Sequence, residues 1–584
     1  MTDKEGFLII TSDKSNFLSN KYRERPSGIK ILRQEENNEA MPIIFAKPKG
    51  AVMKIRILSV GLYIALTILF NFPATAAAAP PGSLDQSFNF PHGYVLFNSA
   101  ANNRDRGVEV AVQADGKIVV LGYSHNGANE DVLLARYNFD GTLDTGFGGG
   151  GYVLYDRGLG LTLQTDGKIV IVGYTYVGGH RDVLTLRYNT NGTLDSTFGT
   201  GGAVTYASPG AATDIGFGVA IQADGCIVVV GETSNGTNQD ALVLRYTPSG
   251  TLDNSFGQGG VFTYAGPGNN MDRAFAAAVQ SDGRIIVVGA SVVNSKDDVL
   301  VLRLNVNGTL DGSFGSSGIV NYSGAGDNSD YGNAVALRED GKIVVLGAQS
   351  NGSAFDILLL QLTAAGAPDS QFGTGGVVVY GDAGSLNDYG YNLVIQKDEK
   401  IVITGYTQGT NDNVLAARFN PGGTLDTSFG SGGTVIWNGS ANSTDYGQGI
   451  ALQPDGKLII AGFSHNGVNE DMLVMRLWAS ADDGRRCFIA TAAYGSDFDP
   501  HVVALRQFRD EHLMTTGIGR QLTKLYYTYS PPLAAFIEHH NWLKPIVRVM
   551  LAPVFLAVNH PDIIILGMAL GGMLFFILLM RRRI

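Results

Sequence analysis

The chain contains 584 residues, including 77 glycines and two cysteines, and its formal net charge at pH 7 is −11. This length exceeds that of one ordinary domain. The acidic excess is concentrated in residues 57–484 and disfavours binding to nucleic-acid phosphates. Two cysteines without a Cys/His cluster predict no metal site, and no motif indicates a cofactor.

The beginning of the chain has the pattern of an exported protein. Residues 1–52 are polar and basic, and we interpret them as a mis-called or disordered extension. Residues 53–79 then combine two positive side chains, Lys54 and Arg56, with an apolar run and a series of alanines that ends at Ala79. This is the anatomy of a secretory signal peptide. We expect cleavage near Ala79, with an uncleaved membrane anchor as the alternative.

One pattern occurs seven times between residues 84 and 480. Each copy has an apolar run, a turn and a second apolar run, as in VAVQADGKIVVLGY. The turn aspartates are Asp115, Asp166, Asp224, Asp282, Asp340, Asp398 and Asp455. Asp-Gly between apolar runs is a strong hairpin signal, and each unit contains four strand-like segments and no helix. The sequence therefore predicts a mainly β fold, a seven-bladed β-propeller of four-stranded repeats, with an open β-solenoid as the alternative.

Two polar positions recur in these units, an aspartate that opens the last strand and an arginine five residues later. They are Asp131 and Arg136, Asp182 and Arg187, Asp240 and Arg245, Asp298 and Arg303, and Asp471 and Arg476. A partly buried arginine needs a carboxylate partner, and the aspartate of the LDxSFG element, such as Asp144, is the candidate. Because nearly every unit repeats these groups, we interpret them as structural contacts between blades. No catalytic residue is predicted.

The predicted loops fall into two classes. The Asp-Gly hairpins and LDxSFG turns belong on one face and vary little, whereas the loops of the opposite face vary. Loops on a rigid scaffold commonly carry binding groups. The first and seventh units share SHNG, which places two histidines on neighbouring blades if the ring closes. The candidate binding residues are His125, Asn126, Arg181, His465 and Asn466, with solvated loops of recent duplication as the alternative.

After residue 480 the pattern becomes helical. A domain is predicted over 487–560; its Cys487 is either processed or lipid-modified, or a buried apolar residue. Residues 563–580 are 18 uncharged, mostly apolar residues, about 27 Å as a helix. They are expected to cross the membrane, and the basic tail 581–584 predicts a cytoplasmic end. The apolar run 546–558 is predicted to lie in the interface or to pack on a helix.

Two stretches resemble known families. The repeats, from 84 to about 478, resemble the delta-60 repeat family through LDxSFGxGG, QxDGKIVVxG and DxLLxRYNxxG, which implies a β-propeller-like domain without an established activity. The segment from Cys487 resembles the CFI-box C-terminal domain through CFIATAAYGS and DPHVxxLRxFRD. That resemblance implies a sorting or membrane-associated role.

These observations give two functional hypotheses. The first is an exported, single-pass membrane protein whose propeller stands on the extracytoplasmic side. It would be a binding or scaffold module at the bacterial cell envelope, with a protein or glycan ligand and no nucleic acid. The alternative is a propeller-type hydrolase or lyase of the envelope. An enzyme would need unique polar residues converging on the central channel, whereas the sequence shows repeated ones.

Overall fold

The structure, a computed structural model, describes the propeller region and parts of the chain after it. The described residues are 79–99, 102–125, 127, 130–155, 157–210, 213–324, 326, 328–381, 386–479, 488–494, 501–502, 505, 534, 537, 540 and 542–559. The predicted extension 1–52, the signal peptide up to residue 78, Asn126, Cys487, the predicted membrane span 563–580 and the tail 581–584 lie outside them.

Within these residues, 28 strands form seven antiparallel four-stranded sheets. The innermost strands are β2 Asp105–Val112, β6 Arg157–Leu163, β10 Asp214–Ile221, β14 Asp272–Val279, β18 Asp330–Leu337, β22 Asp388–Ile395 and β26 Asp445–Leu452. The second strands are β3 Ile118–His125, β7 Ile169–Val177, β11 Ile227–Ser234, β15 Ile285–Val293, β19 Ile343–Ser350, β23 Ile401–Gln408 and β27 Leu458–His465.

The third strands are β4 Glu130–Tyr137, β8 His180–Tyr188, β12 Gln239–Tyr246, β16 Lys296–Leu304, β20 Phe355–Leu362, β24 Asp412–Phe419 and β28 Glu470–Leu477. The outermost strands are β5 Tyr152–Tyr155, β9 Ala203–Tyr206, β13 Val261–Tyr264, β17 Ile319–Tyr322, β21 Val377–Tyr380, β25 Thr434–Trp437 and β1 Tyr94–Phe97. Blades 1 to 6 begin with β2, β6, β10, β14, β18 and β22, and blade 7 is β26-β27-β28-β1. The predicted seven-bladed propeller is confirmed.

The two ends of the repeat region meet in blade 7. Strand β1 precedes all other strands in the chain, yet it pairs with β28, with Tyr94 opposite Met475 and Phe97 opposite Met472. Each LDxSFG element and the short strand after it therefore complete one blade. The hairpin that follows them in the chain opens the next blade. The strand that opens with the recurrent aspartate is the third strand of its blade, not the last.

Neighbouring blades bury both faces of the second and third strands. Val119 and Leu121 of blade 1 pack in one core cluster with Ile169 of blade 2, and all three are fully buried. Because these strands are buried on both faces, their sequences are continuous apolar runs such as IVVVG.

Each inner strand carries a β-bulge. In blade 1 the pairing of β2 with β3 skips one residue between Gly107 and Glu109, and the same shift occurs in the other six blades. The bulge brings the inner strand close to the glycine that ends the IVVxG run. A Cβ atom on Gly122 would lie 1.9 Å from the carbonyl oxygen of Arg106, so the repeat requires glycine there.

Two helices follow the propeller, α1 Phe488–Tyr494 and α2 Leu543–Asn559. Ile489 of α1 and Val547 of α2 pack against the same small cluster. Arg548 Nε donates to the carbonyl oxygen of Ala493 at 2.8 Å. The apolar run 546–558 thus lies within a helix that packs on another. Among the helices in the described part of the chain, none is both long and apolar enough to cross a membrane.

Candidate functional site

The face that carries the Asp-Gly and LDxSFG turns, here called the constant face, is held by one repeated contact. In blade 2, Arg187 Nε donates to Asp195 Oδ2 at 2.8 Å, and its guanidinium lies 4.6 Å from the ring centre of Phe198. Arg187 Nη1 also donates to the carbonyl oxygen of Pro248 in blade 3 at 2.5 Å. The aspartate and phenylalanine of LDxSFG therefore hold the arginine that links one blade to the next.

Six blades contain this arginine–aspartate contact at 2.8 Å. The pairs are Arg136–Asp144, Arg187–Asp195, Arg245–Asp253, Arg303–Asp311, Arg418–Asp426 and Arg476–Asp85. In blade 5 an amide replaces the guanidinium: Gln361 Nε2 donates to Asp369 Oδ2 at 2.7 Å, and Lys342 pairs with the same oxygen at 3.2 Å. Although partial burial opposes ionisation, hydrogen bonds from Ser428 and Lys400, together with Arg418, lower the pKa of Asp426 to about 2.

The contact in blade 7 joins the two ends of the ring. Arg476 Nε donates to Asp85 Oδ2, and the Lys457 ammonium pairs with the same carboxylate; all three residues are at most 2% exposed. Burial alone would raise the pKa of Asp85, but Lys457 and Arg476 hold it well below its ordinary value.

The predicted inter-blade aspartates lie at the opposite end of the same strands and do not contact these arginines. Asp182 stands near Asp214 of blade 3, and Asp471 stands near Asp105 of blade 1. Burial, and then the neighbouring carboxylate, raises the pKa of Asp182. For Asp471, too, burial is the largest influence and the pKa is raised. Asp182 and Asp471 therefore each lie near a carboxylate of the adjacent blade. They do not form ion pairs with the repeated arginines.

The predicted binding histidines serve as caps of local turns on the other face, here called the variable face. His125 Nδ1 accepts a hydrogen bond from Gly127 N, and His465 Nδ1 accepts one from Gly467 N, both at 3.1 Å. Asn466 Nδ2 donates to Asn469 Oδ1 of its own loop at 2.6 Å and to Asp471 Oδ2 of β28 at 3.0 Å. Strand β1 closes the ring, so the two SHNG loops belong to adjacent blades.

The last predicted binding residue, Arg181, belongs to blade 2. Its guanidinium carbon lies 4.9 Å from the ring centre of Tyr174 and 5.8 Å from that of Tyr176, in its own blade. Blades 7 and 1 meet on this face through Arg106 of β2, whose Nη2 donates to Glu470 Oε1 of β28 at 2.5 Å. Asn469 Nδ2 also donates to the carbonyl oxygen of Asn103 at 3.0 Å.

Aromatic side chains form a continuous series beside this ion pair, here called the aromatic arc. Its members are Phe463, Tyr446, Tyr406, Tyr389, Phe355 and Tyr331. The ring centres of Tyr406 and Tyr446 are 4.4 Å apart and the rings are stacked. Arg106 lies over Phe463 at 4.1 Å and Arg273 over Tyr331 at 6.0 Å, so a guanidinium stands at each end.

The bulges of the seven inner strands line a cavity of about 310 Å³ on the axis of the ring. Its lining differs from blade to blade. Blades 1 to 4 contribute the apolar bulge residues Val108, Leu159, Phe217 and Phe275. Blades 5 to 7 contribute the polar residues Asn333, Tyr391 and Gln448, with Asn392 beside Tyr391 and Glu109 beside Val108.

The expectation that only repeated polar residues would be found is wrong for this cavity. Glu109 is a carboxylate that no other unit has at this position, and Asn392 Nδ2 donates to both of its oxygens at 3.0 Å. Burial raises the pKa of Glu109 to about 8. The sequence does contain a signal for this site. When GVEVAVQ, GYNLVIQ and GQGIALQ are aligned, the second and third residues differ between repeats while the surrounding pattern is constant.

Seven segments of the chain match a family model described as a β-propeller domain of unknown function, DUF5122. The matched residues are 113–147, 164–198, 222–256, 280–314, 338–372, 396–429 and 453–480. No curated protein matches the chain.

Three solved structures show only distant similarity to this chain. A protein of unknown function from Dyadobacter fermentans has 12% identity and a TM-score of 0.37, covering 66% of this chain and 98% of its own. The polysaccharide lyase Uly1 has the same identity and TM-score, covering 69% and 97%. The β-propeller domain of the Trilobed protease from Pyrococcus furiosus has 8% identity and a TM-score of 0.35, covering 65% and 97%. The blades and the family match together identify the chain as a seven-bladed β-propeller repeat protein whose repeats are similar to the DUF5122 family.

Proposed function

We propose that the protein is a non-enzymatic binding propeller that docks a partner protein on its variable face. The observation that carries this proposal is the aromatic arc with Arg106 and Arg273 at its ends. Tyrosine and arginine are the side chains that most often dominate protein–protein interfaces. Five of the six arc residues are partly exposed, Phe463 being the buried one.

Exposed apolar side chains on the same face support a protein partner. Val468 is 83% exposed, Tyr176 is 59% exposed and Val177 is 52% exposed. Val468 lies in the loop between the second and third strands of blade 7, and Tyr176 and Val177 end the second strand of blade 2. Exposed apolar groups around a polar and aromatic centre are typical of an interaction surface.

A site-specific photocrosslinker at Val468 tests this proposal in cells that produce the protein. We expect a discrete crosslinked protein, and none from a crosslinker at Glu339, which is exposed on the constant face. Tyr446→Leu should weaken the crosslink, whereas Tyr155→Leu on an outermost strand should not. Equal crosslinking from positions 468 and 339 would contradict the proposal. A crosslinked glycan would show that the ligand is a carbohydrate and not a protein.

We further propose that the propeller stands outside the cytoplasmic membrane on a C-terminal tether. The support is the sequence pattern at 53–79, at 563–580 and in the basic tail 581–584. The CFI-box resemblance of the segment from Cys487 stays a prediction with the same implication.

Mass spectrometry of the protein from membrane fractions should find a mature N-terminus near residue 80 and residues 563–584 retained. It would also reveal any modification of Cys487. Protein intact from Met1 in the cytosol would refute export.

A further inference from the structure

The cavity on the ring axis is a second candidate site, which adjoins the aromatic arc through Tyr391, whose ring centre lies 5.1 Å from that of Tyr389. Its volume of about 310 Å³ is at the lower end of the range of small-molecule sites. The wall from blades 3 and 4 is aromatic, through Phe217 and Phe275. The wall from blades 5 to 7 presents a phenol and three side-chain amides. The cavity is therefore suited to a small ligand with one apolar side and one polar side.

Glu109 is an acidic group without a basic partner in this lining. The residues that line the cavity include no Lys, Arg, His or Asp, and Tyr391 is the other titratable group, with its pKa raised by burial. The carboxylate accepts hydrogen bonds from Asn392 Nδ2 and from the backbone N of Val110. Neutral donors stabilise a buried carboxylate only in part, because a buried charge requires an opposite charge nearby.

A further observation points to a missing ligand. The side-chain oxygen Oε1 of Gln448 is buried and has no hydrogen-bond partner among the described residues. Gly449 of blade 7 lets its strand pack closely on the inner strand of blade 1, because a Cβ atom there would lie 2.8 Å from Glu109 Cα. In this closely packed ring Asn392 of blade 6 reaches the carboxylate of blade 1.

We propose that the axial cavity binds a small organic cation of the ammonium type, with Glu109 as its counter-ion. Phe217 and Tyr391 contribute aromatic rings to the lining, and an aromatic ring attracts an ammonium group by the cation–π interaction, whereas the Phe275 ring already has the Arg273 guanidinium 5.4 Å from its centre. The amides of Asn333 and Gln448 are placed for a polar substituent of the ligand. This site needs no partner on the variable face, so it goes beyond the binding function proposed above.

Choline and its neutral isostere 3,3-dimethylbutan-1-ol distinguish a cation site from a site for any small alcohol. Calorimetry on the full chain should show choline binding at least tenfold more tightly than the alcohol. Glu109→Gln keeps the shape of the side chain and should weaken choline at least tenfold without changing the alcohol. Glu339→Gln, the same change of charge on the constant face, should leave both affinities unchanged.

The pH dependence in the wild-type chain provides a test that requires no variant. Choline carries a permanent charge, so the titrating group must belong to the protein. A proton on Glu109 competes with the ligand, and choline should bind about tenfold more tightly at pH 9 than at pH 7. Absent choline binding, equal binding of the alcohol, or an unchanged choline affinity in Glu109→Gln would each overturn the proposal. The crosslink from Val468 is expected to persist in every case.

Discussion

The two faces of the ring are built from the same repeats but use them differently. On the constant face each blade repeats one set of contacts, in which an arginine, an aspartate and a phenylalanine satisfy one another and bind the next blade. On the variable face and along the axis, the corresponding positions differ from one group of blades to another. Repetition therefore identifies the scaffold, and departures from it identify the positions where we propose that ligands bind.

The largest expected effect is acid unfolding, because acid acts on all the constant-face carboxylates together. The pKa of Asp426 in the folded chain, about 2, lies below its value of about 3.9 in an unfolded chain. Such a group stabilises the fold fully above about pH 4 and loses that contribution as the pH falls. The urea midpoint should drop steeply between pH 4 and pH 2. A constant midpoint over that range would show that these pairs contribute little.

Asp85→Asn should cost about 3–5 kcal/mol of unfolding free energy. It leaves two buried cations, Arg476 and Lys457, without a carboxylate. Blade 5 supplies the matched control, because Asp369 accepts from the neutral Gln361 and its cation, Lys342, is 31% exposed and can be solvated when the carboxylate is removed. Asp369→Asn should cost about 1 kcal/mol. Equal losses in urea titrations of the two variants would mean that charge pairing does not distinguish these blades.

Glu109 should give the opposite pH dependence to the constant face. Its pKa is raised in the folded chain, so unfolding exposes a stronger acid and the fold loses stability as the pH rises from about 4.5 to 8. The slope is at most about 1.4 kcal/mol per pH unit. Glu109→Gln should flatten it, as measured by urea unfolding at a series of pH values. An unchanged slope would indicate that Glu109 ionises freely in the cavity.

Gly449→Ala should cost about 1–3 kcal/mol, because the new methyl group meets the backbone of Glu109. Gly409→Ala is the control, since its Cβ would meet only ordinary contacts at 3.5 Å or more. That change should alter stability by no more than about 0.5 kcal/mol. The melting temperatures of the two variants test this prediction. Equal melting temperatures would show that the inner strands tolerate an added methyl group at position 449.

The smallest effect is expected from replacing His125 and His465 together with alanine. Each imidazole caps one exposed turn, so the double variant should lose about 1 kcal/mol or less. Its crosslinking from Val468 should match that of the wild-type chain. A large loss of crosslinking would place the two histidines in the binding surface.

The fold could be predicted because all seven units carry the same sequence signals. Asp-Gly turns, apolar runs of strand length and a count of seven specify blades, and the pairing of Arg187 with Asp195 follows from the need of a buried cation for a carboxylate. The partner across the blade boundary, the carbonyl oxygen of Pro248, has no side-chain signature and could not be predicted.

The candidate sites were harder to predict, because they depend on which residues face the axis. Glu109 and Asn392 are 283 positions apart, and their contact depends on a bulge and on a glycine in a third blade. The histidines were selected for being alike in two units, yet likeness marks recent duplication as readily as function. A search for positions that differ within an otherwise constant repeat would have found the axial cavity.

The short strand Tyr94–Phe97 also has a consequence for how the molecule assembles. Blades 1 to 6 are each complete within one continuous stretch of chain, whereas Asp85 meets Arg476 only across 391 positions. Bringing such distant segments together carries the largest loop-closure entropy of any contact in the ring, so blade 7 should form last. During synthesis the first strand must wait, unpaired, until the last repeat has been made.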